Sequence, residues 1–130
     1  MNVFQMIPKF LFANYLLILS CTLSAQEGHQ FQYINPKLAS VVVSGETNII
    51  LRHTGLINPA TVNSSLIFVE GSSSGIHSGE LLLTDDMRTL VFNPDQAFAP
   101  NELVEVSIKE GAKTRSGITI PEFSFSFRTA

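Results

Sequence analysis

The residues of this chain that could do chemistry include three histidines, and they are far apart in the sequence. His29 lies near the N-terminus, and His77 lies in a stretch rich in glycine and serine. His53 alternates with Ile49 and Leu51, so we expect its ring to point inward and to be satisfied by backbone groups or water. Zinc ligands normally cluster at short spacing. The histidines therefore predict no metal site.

The aspartates and serines also lack the patterns that catalysis or ion binding requires. Asp85, Asp86 and Asp95 adjoin turn residues, where aspartate side chains bond to the local backbone. A calcium loop would need several oxygen ligands at tight alternating spacing. No nucleophile elbow surrounds any serine, and the segment from Gly71 to Gly79 lacks the lysine and helix of a phosphate loop. We expect no catalytic, cofactor-binding or metal-binding residue. An enzyme would need a pocket that joins His77 to a carboxylate and a serine.

Composition is that of one globular domain and excludes a nucleic-acid binder. The chain has 130 residues, of which 45% are hydrophobic and 15% charged, and its formal net charge is -3 with no basic patch. Ten phenylalanines, two tyrosines and no tryptophan suit core packing better than exposed sugar-stacking platforms.

The N-terminus has the order of a secretory signal peptide. Lys9 precedes an almost wholly apolar run from Phe10 to Leu23, and small residues follow at a cut site after Ala25. We therefore predict a signal peptide over residues 1–25, a poorly ordered lead over 26–34 and one domain over 35–130. Two alternatives are an uncleaved anchor and lipidation at Cys21. Since Cys21 is the one cysteine, the exported chain would fold without a disulfide.

Short alternating segments separated by turn residues follow the lead. In the segment Leu103 to Lys109, Val104, Val106 and Ile108 face one way and polar residues face the other. About seven such strands, with turn signals every 8 to 12 residues and no helix-length periodic segment, predict an all-β, immunoglobulin-like sandwich. The segments that could form these strands lie at 33–36, 39–43, 49–53, 66–69, 79–84, 89–92, 103–109 and 121–129, and one helical turn is predicted from Pro59.

The last strand shows the strictest alternation. Phe123, Phe125 and Phe127 share one face, and Ser124 and Ser126 lie on the other. Three phenylalanines need a second apolar surface to cover them, which favours two packed sheets. Phe125, the middle of the three, is expected to be the most buried.

Together these segments resemble the bacterial Ig-like domain of the S-layer protein SbsA type. The resemblance runs from about Asn35 to Thr129 and rests on these stretches: Ile49–Leu51, Ile57–Asn63, Val69–Ser72 with Gly75, Thr89–Pro94, Phe98–Val106, Gly117 and Phe123–Thr129. It implies a noncatalytic module that sits beside other domains as a spacer or platform. The chain departs from the family where His53 replaces a common phenylalanine, and where Ala112–Ser116 lacks an aspartate often found there. The second departure argues against a calcium site.

Three hypotheses about function remain open from the sequence. The first is a structural spacer in a secreted or cell-surface protein, monomeric, with neighbouring domains or surface proteins as partners and no membrane span in the exported chain. The second is a module that binds a glycan or protein through the loops Ser72–Ser78, Asp85–Arg88 and Lys113–Ser116. The third is an enzyme. The chain stops one residue after its closing strand, which fits either a single-domain protein or the N-terminal piece of a longer one.

Overall fold

Residues 31–130 form a sandwich of two four-stranded sheets in the computed structural model, which describes this part of the chain. The strands are β1 Phe31–Asn35, β2 Ile49–His53, β3 Ile67–Gly71, β4 Gly75–Ile76, β5 Gly79–Leu83, β6 Thr89–Pro94, β7 Leu103–Ile108 and β8 Phe123–Arg128. Two single turns of 3-10 helix, Pro59–Thr61 and Ser64–Leu66, lie between β2 and β3. The predicted all-β, immunoglobulin-like sandwich is confirmed, with the two-residue β4 as an additional strand.

All strand pairs within the two sheets are antiparallel. The first sheet has the order β1-β2-β6-β5, and the second has the order β4-β3-β7-β8. Phe31 of β1 and Phe123 of β8 bring the same end of both sheets together, with their ring centroids 5.8 Å apart. We call this end, where Phe31, His53 and Phe123 lie, the bottom. The opposite end, where Gly71, Leu103 and Arg128 lie, is the top.

The inward residues follow the alternation in the sequence. Val104, Val106 and Ile108 of β7 are buried as predicted, and so are Phe125 and Phe127 of β8. The expectation that Phe125 is the most buried of the three phenylalanines is wrong. Phe127 is 1% exposed and Phe125 7%. The reason is that the chain closes over the top of the sandwich, where Phe98 contacts Phe127 edge-on at 5.7 Å.

The first strand begins earlier than the sequence predicts. β1 takes in residues 31–34 of the expected lead, of which 33 and 34 were also predicted to begin a strand, and Phe31 and Ile34 are buried. Phe31 is held because its ring packs edge-on against His53 at 5.7 Å. The rest of the expected lead, residues 26–30, and the expected signal peptide lie outside the described residues.

Residues 39–43 cover the outer edge of β8, and we call this segment the strap. The sequence predicts an edge strand here, and Val43 does pair with Thr129, in parallel. The strap is irregular because Ala39 and Val42 have φ angles of 55° and 60°. Left-handed backbone is unusual for a β-branched residue. Covering β8 removes an open sheet edge, which would otherwise invite association.

Phe127→Ala should cost about 3 to 5 kcal/mol of unfolding free energy, because it removes the most deeply buried ring of β8 and leaves a cavity. Ser124→Ala is the matched control on the exposed face of the same strand and should change the unfolding free energy by about 0.5 kcal/mol or less. Urea titration of both variants measures this. Equal losses would show that both faces of β8 are buried.

Candidate functional site

A cluster of polar residues lies at the top of the sandwich, with its histidine and its carboxylate buried and its serine exposed. It joins His77, which follows β4, to Ser74 in the β3–β4 turn and to Glu102 immediately before β7. Glu102 is 1% exposed, and His77 is also buried. The sequence singles out His77 and the serines of this loop but not Glu102.

The Glu102 carboxylate accepts four hydrogen bonds from two separate loops. Its Oε2 atom accepts from the backbone N–H groups of Ser73 and Ser74, both at 2.9 Å. Its Oε1 atom accepts from the Ser74 hydroxyl at 2.7 Å and from the Ala99 N–H at 2.7 Å. A carboxylate buried without such partners would be costly. Here one side chain ties the β3–β4 turn to the segment before β7.

These hydrogen bonds decide the charge state of the carboxylate. Burial by itself would raise the pKa of Glu102, but the Ser74 hydroxyl and the N–H groups of Ser74, Ser73 and Ala99 outweigh it and hold the pKa below its usual range. Glu102 is therefore ionised at neutral pH, and it holds its negative charge inside the fold.

The position of this carboxylate leaves no room for a side chain at Gly71, the last residue of β3. A Cβ atom at Gly71 would lie only 2.5 Å from Oε2 and 2.6 Å from Oε1 of Glu102. These distances are far below van der Waals contact, and both oxygens are fixed by their hydrogen bonds. Gly71, which begins the Gly/Ser-rich stretch, therefore allows the Glu102 carboxylate to approach the backbone of β3 closely.

The order of hydrogen bonds in this cluster differs from that of a catalytic triad. The Ser74 hydroxyl donates its one proton to Glu102, so the Nε2–H of His77, 2.6 Å from Ser74 Oγ, must donate to that oxygen. In a triad the histidine lies between the other two residues and accepts the serine proton. Here the serine lies between histidine and carboxylate. His77 is therefore oriented as a donor, not as a base for Ser74.

The backbone of Glu102 ties the cluster to the end of the chain. The Glu102 N–H donates to Thr129 Oγ1 at 2.8 Å, and the Thr129 N–H donates to the Glu102 carbonyl at 3.0 Å. The Thr129 hydroxyl in turn donates to the carbonyl of Ala99 at 2.7 Å. The His77 ring packs on Phe98, with centroids 4.4 Å apart. The whole cluster thus closes the core from above.

A second site, an open groove, lies at the bottom of the sandwich. His53 forms part of its wall, and the exposed Leu56, Arg115 and Ile118 lie around it. Its volume is about 510 Å³, within the range of small-ligand sites. The inward ring of His53 accepts the Gly55 N–H at Nδ1 over 2.9 Å, so its ring is held by the backbone.

Asp86, in the β5–β6 turn at the bottom of the sandwich, has a structural role. The Asp86 carboxylate accepts from the backbone N–H of Arg88 and from the hydroxyls of Thr89 and Thr84, and these bonds hold the pKa of Asp86 well below its usual range. Arg52 approaches Asp86 at 3.9 Å across an exposed surface. Asp86 therefore shapes the β5–β6 turn through side-chain to backbone bonds.

The three loops that the sequence offers as a binding surface do not share one end. Ser72–Ser78 lies at the top, whereas Asp85–Arg88 and Lys113–Ser116 lie at the bottom on either side of the segment after β2. Ile57 donates to the Met87 carbonyl at 2.7 Å, and Arg115 donates to the Leu56 carbonyl at 2.9 Å. A binding site built from loops would therefore use the bottom pair.

Within residues 31–130, no group of three histidine, cysteine or acidic residues is placed to hold a metal ion. The same residues contain no helix long and apolar enough to cross a membrane.

Glu102→Gln should lower the unfolding free energy at neutral pH by about 1 to 3 kcal/mol. The substitution removes the negative charge and replaces one of the two acceptor oxygens with an NH2 group, although four donors point at this side chain. The pKa of Glu102 is lowered in the folded state, so its contribution is complete above the ordinary glutamate value of about 4.3 and disappears as the pH falls through the lowered value. The two proteins should therefore converge in acid. Chemical denaturation across pH measures this.

Glu105→Gln, on the exposed face of β7, is the matched control and should follow the wild type throughout. A constant difference between Glu102→Gln and wild type down to strongly acid pH would contradict an ionised Glu102.

Solved structures with this fold come from proteins of different kinds. PcoC, a copper resistance protein from Escherichia coli, aligns over 77% of this chain and 98% of its own, with a TM-score of 0.61 and 14% identity. CopC from Methylosinus trichosporium OB3b aligns over 76% and 90%, with a TM-score of 0.57 and 17% identity. The S-layer protein rSbsC(31-844) aligns over 72% of this chain at a TM-score of 0.56 and 12% identity, and the chain spans 13% of its length. At these identities the likeness concerns the fold.

A search of curated proteins finds no significant sequence match. The family comparison does find one, and it covers residues 26–129, including both ends of the sandwich and the Glu102 cluster. The family is described as bacterial Ig-like domain, in agreement with the resemblance in the sequence. This chain therefore belongs to the bacterial Ig-like domain family.

Proposed function

We propose that this chain is a noncatalytic structural module of an exported protein, and that it keeps its two ends at a fixed separation. The observation that carries this proposal is the path of the chain. Phe31 lies at the bottom of the sandwich, and Arg128 leaves β8 at the top. Strands of six residues span about 20 Å, and a closed core lies between the two ends.

The polar side chains at the top of the sandwich bond to one another and to the backbone, and this supports a structural role. Ser74, His77 and Glu102 form the one arrangement among the described residues that an enzyme hypothesis required, and their hydrogen bonds run in the wrong direction for a nucleophilic serine. Membership of a generally noncatalytic family agrees with this. The similarity to an S-layer protein is compatible with a place at the cell surface.

If the module is rigid, the distance between its two ends should be single-valued. We expect spin labels at Gln32→Cys and Ala130→Cys, in a full chain that carries Cys21→Ser, to give one narrow distance distribution by double electron–electron resonance. Both labelled side chains are exposed. A broad or two-peaked distribution would contradict a spacer of fixed length.

Export is the second part of the proposal, and the beginning of the family match supports it. The match starts at residue 26, the residue after the predicted cut. We expect the exported chain to begin at Gln26, with lipidated Cys21 as the alternative, and intact-mass measurement of the exported product decides between them. Retention of Met1 would overturn the signal peptide.

A binding module is the second candidate, and the groove at the bottom favours it. Leu56 and Ile118 are exposed apolar side chains at its edge, and Arg115 adds a positive charge. Exposed apolar surface next to a charged group is typical of interaction sites. The occupant would be a glycan or a protein segment at the cell surface.

Binding at the groove should be lost on Ile118→Ser and unaffected by Ile76→Ser, which changes another exposed isoleucine, at the top. Amide chemical shifts of labelled protein during titration with cell-wall glycan fragments and surface peptides measure it. If no probe shifts the resonances around Leu56 and Ile118, the binding candidate fails and the spacer remains.

A further inference from the structure

We propose that the outer face of the first sheet carries a binding site for an acidic sugar, formed around Tyr33, Ile50 and Arg52. The ligand is a pyranose that bears a carboxylate, as a unit of a polysaccharide. This inference goes beyond the proposed functions, because a spacer needs no ligand and the groove at the bottom shares no lining residue with this site.

A β-bulge in β1 turns two consecutive side chains towards solvent. Between Phe31 and Tyr33 the register shifts, because β1 advances by two residues while β2 advances by one. In a regular strand Tyr33 would share the inward face with Phe31, two residues before it. With the bulge, Gln32 and Tyr33 are both exposed, while Phe31 and Ile34 remain buried. Bulges re-aim side chains in this way and are common next to functional sites.

The bulge forms one side of an open pocket on the outer face of the sheet. Its volume is about 430 Å³, and it is lined by Gln32, Tyr33, Ile50, Arg52 and Thr89. Arg52 pairs with Tyr33 on one side and with Thr89 on the other, so these three residues form one row across three strands. With neighbouring strands about 4.8 Å apart, the row is about 10 Å long. It is longer than one pyranose ring.

The Tyr33 ring and Ile50 give the pocket an apolar side. Tyr33 is 52% exposed, and in the described part of the chain no other aromatic ring lies against it. An exposed aromatic ring beside polar side chains suits a ligand with an apolar face and a polar edge. A pyranose has both, since its ring presents C–H groups on a face and hydroxyls at the edge. Tyr33 thus departs from the expectation that the aromatic residues pack in the core.

Arg52 supplies a positive charge that the fold leaves available. Its Nε atom lies 3.9 Å from Oδ2 of Asp86, beyond hydrogen-bond distance, and its guanidinium donates no hydrogen bond within the described residues. Asp86 does not depend on Arg52, since its carboxylate accepts four hydrogen bonds within its own turn. A planar guanidinium matches a carboxylate with two parallel hydrogen bonds. The sugar that fits this pocket is therefore an acidic one.

The extent of the pocket favours a sugar over a protein partner. A stable protein interface buries about 800 Å² on each partner, which would take in the whole face of the sheet. Leu82 lies on β5 at the far edge of this face and is exposed, so such a partner would have to cover it. The pocket ends at Thr89 on β6. Leu82 therefore distinguishes a sugar from an occupant of the whole face.

Titration of the isotope-labelled full chain with oligosaccharides, followed by amide chemical shifts, tests the site. The probes are trimers of galacturonic acid and of glucuronic acid. Each is matched by the neutral trimer of galactose or glucose, which has a hydroxymethyl group in place of the carboxylate. We expect an acidic trimer to shift the resonances of Tyr33, Ile50 and Arg52 and to bind about fivefold more tightly than its neutral match. Equal affinities, or no shift with either acidic trimer at millimolar concentration, would overturn the proposal.

Variants of two exposed side chains assign the binding. Tyr33→Ala should weaken binding of the acidic trimer at least about fivefold because the stacking surface is lost, whereas Tyr33→Phe should stay within about twofold of wild type. Arg52→Gln should abolish the preference for the acidic trimer. The amide spectrum of each variant checks that the fold is kept. Unchanged affinity in Tyr33→Ala, or a preference that survives Arg52→Gln, would contradict the site.

Leu82→Ser and Ile118→Ser are the controls for the two other surfaces, and both should leave binding of the acidic trimer unchanged. Loss of binding in Leu82→Ser would indicate an occupant of the whole sheet face. Loss in Ile118→Ser would place the sugar in the groove at the bottom. Either result would overturn the site on the sheet. The spacer function is decided separately, by the end-to-end distance.

Discussion

The top of this sandwich depends on one buried negative charge. Glu102 has no ion-pair partner among the described residues and is stabilised by four hydrogen bonds, three of them from backbone N–H groups. An ionised group held in this way is sensitive to the position of every donor. The β3–β4 turn and the segment before β7 therefore have to stay where they are, and Gly71 has to remain without a side chain.

The need to hold the Glu102 carboxylate also determines what the neighbouring serine and histidine do. The backbone of Glu102 pairs with Thr129, and the strap bonds the residues on either side of Thr129. A carboxylate, a serine and a histidine, which elsewhere could serve catalysis, are here oriented towards one another and towards the backbone. The chemistry of these residues supports the shape of the domain, and a fold of this kind accommodates many functions.

The alternating pattern predicted the sheets because burial on one face imposes a period of two. It located β2 and β7 closely and placed His53 and Val104 inward, as observed. The same pattern held an unused signal: the inward series Val104, Val106 and Ile108, extended back by one step, reaches Glu102. A charged residue at an inward position predicts a buried polar contact, and Glu102 was not among the expected site residues.

Other features could not be predicted because they arise from contacts distant in sequence. The parallel pairing of the strap with β8 depends on left-handed backbone at Ala39 and Val42, and neither residue type indicates it. The partners of the Glu102 carboxylate are separated from it by up to 29 residues. The deeper burial of Phe127 depends on Phe98, which reaches it from a loop with no regular pattern.

Native-state hydrogen exchange tests most directly whether Glu102 holds the top of the fold together. In the wild type, the N–H groups of Ser73, Ser74 and Ala99 should exchange as slowly as that of Val106 in the core strand β7, because their release requires global unfolding. In Glu102→Gln they should exchange at least about tenfold faster than Val106. Exchange of these three N–H groups in the wild type at the rate of exposed turns would contradict the account, because the carboxylate would then not be holding the two loops.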